Sequence, residues 1–136
     1  MNLGSEAMSS IKDSIEILLP LKAEYVSVAR LAVSGVASRM GFDIDTIEDI
    51  KVATAEVCNK LVNRGSTSAP CYKIVLGISE DKLDITFECE DKALGCIFSE
   101  DNDELGISLI NALMDDVDSC AGSYVIRMSK AVERDI

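Results

Sequence analysis

Three features of the sequence predict an α+β fold in two layers, a mostly antiparallel four-stranded sheet with helices on one face. Two apolar stripes at helical spacing follow one another between residues 24 and 65. Two β-rich runs, Tyr72 to Ile78 and Leu83 to Cys89, are joined by Ser79-Glu80-Asp81-Lys82, the makings of a hairpin. The full order, β-α-α-β-β-loop-α-β, has few strands and a hairpin at its centre, and one two-layer sheet accommodates it most simply.

Residues 1–12 read as a disordered N-terminal tail and residues 13–136 as a single domain. Ser14 to Leu19 alternates weakly and predicts a strand ended by Pro20. Tyr25, Val28, Ala29, Ala32, Val33, Val36, Ala37 and Met40 make the first helical stripe, and Gly41 suits its C-terminal cap. Asp45 and Glu48 resemble a capping box for the second helix, whose stripe runs through Ile47, Ile50, Val57, Cys58 and Leu61 to Gly65. After the hairpin, Glu90 to Asp103 is acidic and irregular. A third helix is expected over residues 104–117, with Asp103 as N-cap and Leu105, Leu109, Ala112 and Leu113 on one face. Ser123 to Ser129 alternates and predicts the last strand.

Composition removes several function classes. The chain has 136 residues, 48% hydrophobic and 27% charged, with a formal net charge of −11. That charge repels phosphates, so neither nucleic acid nor an anionic membrane is expected as a partner. It suits a partner with a basic patch and equally serves plain solubility. There is no histidine, which excludes Ser-His-Asp and Cys-His nucleophiles and any histidine-ligated metal. The five cysteines form no Cys-x-x-Cys pair, so no metal site is expected and the thiols read as reduced, in a cytoplasmic protein. The apolar run Ile17 to Leu21 is too short for a membrane span and lacks the basic flank of a signal peptide.

Three blocks are more specific. Glu24-Tyr25-Val26, Ala29-Arg30-Leu31 and Val33 to Gly41 resemble the first helix of the bacterial anti-sigma factors that are also serine-protein kinases. Ile47 to Cys58 is similar to their second helix, and Leu113-Met114-Asp115-Asp116-Val117 to the end of their last one. The resemblance covers roughly Ile15 to Lys130. It implies a Bergerat-type sandwich of the GHKL ATPase superfamily, the histidine-kinase-like ATPase domain. Such proteins hold Mg-ATP, bind a sigma factor in one state and an anti-anti-sigma (STAS) protein in another, phosphorylate the latter on serine, and commonly form homodimers.

Carried over residue by residue, the family's Glu-x-x-x-Asn motif falls on Glu56 and Lys60. The resemblance makes Glu56 the general base, if the chain is active. An ammonium at the position of the metal-ligating asparagine cannot bind Mg²⁺. Asn59, three residues after Glu56, is the available substitute; the plain alternative is an i,i+4 contact between Glu56 and Lys60. The adenine motif Asp-x-Gly falls on Cys89-Glu90-Asp91, where Glu90 or Asp91 would have to replace the missing acceptor. Of the phosphate-cradling glycines only Leu105-Gly106 survives, preceded by Asp103 and Glu104, which repel a triphosphate. Arg30 stands where the family contacts both protein partners; its plain alternative is an exposed helical arginine. The expectation is a regulator in a partner switch with ATP binding and kinase activity weak or lost and no cofactor; the alternative is an active Mg-ATP-dependent kinase of an anti-anti-sigma factor.

Overall fold

The computed structural model describes residues 11–94, 97–98, 104–119 and 125–133. Strand β1 (Ile11–Pro20) leads through a 3-10 turn (Ala23–Tyr25) into helices α1 (Val26–Met40) and α2 (Ile44–Arg64). The hairpin β2 (Cys71–Ser79) and β3 (Lys82–Glu88) follows, then a 3-10 turn (Lys92–Leu94), α3 (Glu104–Leu113), β4 (Asp116–Ser119) and β5 (Ile126–Ala131). All strand pairs are antiparallel, in the order β1-β2-β3-β5-β4.

Alternation explains the two-layer arrangement. Ile15, Leu76, Ile85, Met128 and Val117 stand in one row across all five strands, with Ile17, Ile74, Phe87 and Ile126 in the next. These side chains share one face, as a period of two requires. The helices cover it with Val26, Ala29, Val33 and Ala37 from α1 and Ile50, Ala53, Val57, Cys58 and Leu61 from α2. The other face is ionic. Lys73 reaches Glu16 at 3.0 Å and Glu88 at 3.9 Å, and Arg127 lies 3.8 Å from Asp84.

The helix ends follow local chemistry. Gly41 caps α1 at φ +93°, a left-handed conformation that costs glycine nothing. The cap of α2 is Asp43 rather than Asp45: its carboxylate accepts the Thr46 amide at 2.8 Å, and that bond holds its pKa below the ordinary value. Asp45 instead lies in the first turn, where a carboxylate suits the helix dipole.

Four other expectations are corrected. The sheet has five strands, not four. The first strand starts at Ile11, inside the segment expected to be tail, with a register shift between Ile11 and Asp13; residues 1–10 lie outside the described residues. The third helix ends at Leu113, and the segment expected to prolong it becomes β4, drawn into the sheet by β5. Asp116 pairs with Ser129 and Val117 with Met128, while the Asp115 carboxylate accepts the Ala131 amide at 2.7 Å. Val117 suits either period, and only the neighbouring strand decides between them. The last strand is displaced to Ile126–Ala131; residues 120–124, like Asp103, lie outside the described residues.

Among the described residues, Tyr72 is the largest fully buried side chain, and it carries a hydroxyl. Tyr72 is 1% exposed and its hydroxyl faces the Cys58 thiol without completing a hydrogen bond. Removing that hydroxyl removes an uncompensated desolvation. Tyr72→Phe is therefore expected to leave stability within about 1 kcal/mol of the parent, on the stabilising side. Leu76→Ala, at the middle of the main row, should cost about 3 kcal/mol by leaving a cavity. Urea denaturation of both variants checks the contrast.

Candidate functional site

Helix α2 carries the residues that the resemblance made catalytic. Val57, Cys58 and Leu61 face the sheet, so Glu56, Asn59 and Lys60 fall away from it. Glu56 and Lys60 are half-buried, and Asn59 is exposed. Helix α3 packs on α2, bringing Gly106, which is buried, and Leu105, which is 88% exposed, to the same layer. Glu56 and Asn59 thus share the helical layer with Leu105 and Gly106.

The residues after β3 are placed differently. Glu90 lines a groove of about 570 Å³ together with Leu18, Pro70, Cys71, Lys73 and Glu88. Leu18, Lys73 and Glu88 belong to the helix-free side of the sheet, and Glu56 is not among the residues lining this groove. Asp91 turns toward the loop after α2. One of its oxygens accepts the Ser66 hydroxyl at 2.5 Å and the other the Ala93 amide at 2.9 Å. The Ser66 hydrogen bond, then the Ala93 amide, hold the Asp91 carboxyl below the ordinary carboxylate range, and the Arg64 charge adds to them. Cys89 directs its thiol to the Cys71 carbonyl at 3.7 Å. Burial pushes that thiol's pKa upward, so it stays protonated and acts as a donor, the opposite of what an adenine amine requires.

Arg30 lies apart from all of these, exposed on α1 beside Leu31, which is 71% exposed. Sequence reasoning missed Ser66. A serine directly after the helix-ending Gly65 is turn chemistry, but nothing local points to a partner 25 residues away. Among the described residues, no cluster of three or more Cys, Asp or Glu side chains is placed to hold a metal, and no helix is long and apolar enough to cross a membrane.

A family model for the histidine kinase-like ATPase domain matches residues 19–130. The serine-protein kinase RsbW of Halalkalibacterium halodurans is 36% identical over 139 aligned positions, covering 90% of this chain and 86% of the relative. The RsbW proteins of Bacillus cereus and Bacillus mycoides are 34% and 33% identical, each with 90% of this chain and 88% of the relative covered.

The buried thiol beside this site has a measurable consequence. Burial pushes Cys58 from 9.0 up to about 11. As pH rises the unfolded chain therefore ionises first. The stabilising contribution is complete below 9.0 and is lost between 9.0 and about 11. Two pH units correspond to about 3 kcal/mol, and Tyr72, also raised by burial, acts in the same direction. Urea titrations across this range should show stability falling, with a shallower fall in Cys58→Ala.

Proposed function

Because the chain belongs to the histidine kinase-like ATPase family, among the anti-sigma-factor serine-protein kinases, we propose that it is a cytoplasmic protein-binding switch. In this reading it binds a sigma factor, an anti-anti-sigma STAS protein, or both in turn, as a homodimer, with ATP binding and phosphoryl transfer weak or lost. The observation that carries the reading is a division within the molecule. The α1 surface with Arg30 and Leu31 is open to solvent. The residues at the family's adenine positions are spent on internal contacts.

On this reading the residues do not fit Mg-ATP. A cation at Lys60 replaces a metal ligand. Cys89 offers a proton where an acceptor is required, and both Asp91 oxygens are engaged. Such a set of side chains supports no phosphoryl-transfer step. The active-kinase alternative rests on Glu56, which stands half-buried on α2 at the position of the family's general base.

Arginine is among the residues over-represented at the positions that carry most of the binding energy of protein interfaces. Arg30→Glu is expected to weaken binding of the cognate sigma or STAS protein at least about tenfold, roughly 1.4 kcal/mol, without changing the melting temperature. Glu56→Ala should leave that binding intact. Calorimetry with Mg-ATP should show no heat at millimolar nucleotide. Transfer of labelled phosphate to a STAS protein, abolished by Glu56→Ala, would instead establish the kinase.

A further inference from the structure

One contact ties together two loops that the antiparallel register of β2 and β3 brings to the same end of the hairpin. Gly65, at φ +65°, ends α2 and turns the chain, placing Ser66 at the start of the loop into β2. The Ser66 oxygen accepts the Ala69 amide at 2.9 Å and the Ser68 amide at 3.2 Å. A hydroxyl has two lone pairs and one proton. The Ser68 hydroxyl lies 3.4 Å away, but the proton goes to the nearer, charged acceptor, the Asp91 carboxylate at 2.5 Å, a short bond strengthened by that charge. Asp91 in turn holds its own loop. Its second oxygen takes the Ala93 amide, its carbonyl takes the Leu94 amide at 3.0 Å, and Leu94 is 1% exposed. Ser66 is thus linked through Asp91 to a side chain fixed in the core.

The geometry points to this contact as an autoinhibitory clasp, in which Ser66 pins the loop after β3 against the end of α2 and shuts the nucleobase end of the site. The inference rests on the reading above, in which this loop is the family's adenine loop and binds no nucleotide here. It goes further by naming the contact that keeps the loop shut. The wall is closed from within, by a bond between two side chains, and does not depend on the loss of the metal ligand at Lys60.

Adenosine is the probe that separates these two causes, because it has no phosphates and needs no metal. Hydrogen exchange on the full chain should show the Ala93 and Leu94 amides opening roughly tenfold faster in Ser66→Ala than in the parent. Asp91→Asn, which preserves shape but removes the charge, should speed the same amides. Ligand-observed NMR should then detect millimolar adenosine binding to Ser66→Ala and not to the parent. Unchanged exchange in both variants would overturn the clasp. So would faster exchange without adenosine binding, or adenosine binding to the parent. Mg-ATP binding to the parent would defeat the functional reading itself, a different result from any of these.

Discussion

The contact between the inner face of the β2–β3 hairpin and the stripe Ile50–Leu61 of α2 sets the position of nearly everything else. Leu76, Ile85 and Phe87 are fully buried beneath that layer, and Ile50, Val57 and Leu61 are their counterparts above. Because the helix period is 3.6 and the strand period is 2, fixing these residues inward fixes the outward direction of their neighbours. Glu56, Asn59 and Lys60 are turned from the sheet by the same register that buries Val57 and Leu61. The end of the same helix, at Gly65, delivers Ser66 to Asp91. Core packing and site geometry are therefore one constraint, and a helix shifted by one residue would lose both.

The strongly periodic parts of this architecture were legible beforehand. Both long helices, the hairpin, the one-faced sheet and the caps at Gly41 and Gly65 follow from patterns shorter than the element that carries them. The failures share a cause. At Asp43 and Asp45 two carboxylates compete for one cap, and the difference is the direction of a single side chain. At Asp115–Val117 the chain leaves the helix because β5 offers Ser129 and Met128 as partners, from more than ten residues away. The site divides in the same way. Glu56 and Arg30 could be placed on their helix faces from spacing alone. The direction of Asp91 could not, since it depends on Ser66, and the place of Glu90 in its groove depends on which side of the sheet the strand end faces.

At the C-terminus of a helix running to Val117 the Asp115-Asp116 pair would be unfavourable, because the dipole there repels negative charge. The structure removes the difficulty, because the pair does not end a helix. Asp115 accepts the Ala131 amide and lies 3.5 Å from Lys130, whose ammonium also reaches the Leu113 carbonyl at 2.9 Å. The carboxylate thus serves as a junction between α3 and the sheet. An apparent conflict between charge and secondary structure was evidence against the assumed element.

Unsatisfied polar groups separate a site awaiting a ligand from one closed upon itself. A binding pocket keeps donors and acceptors pointed at empty space, because the ligand completes them. In the proposed reading, the side chains at the family's adenine positions are completed from within the chain: Cys89 by the Cys71 carbonyl, and Asp91 by the Ser66 hydroxyl and the Ala93 amide. Among the described residues, the buried hydroxyls left without partners are those of Thr54 on α2 and Tyr72 on β2, both in the core between helices and sheet. Cys89 and Asp91 have thus been taken up by their neighbours, at little cost to a fold whose packing lies elsewhere. The surface of α1 is under the opposite condition. Arg30 and Leu31 contribute nothing to the core, and in the proposed reading their exposed side chains are left open to a protein partner.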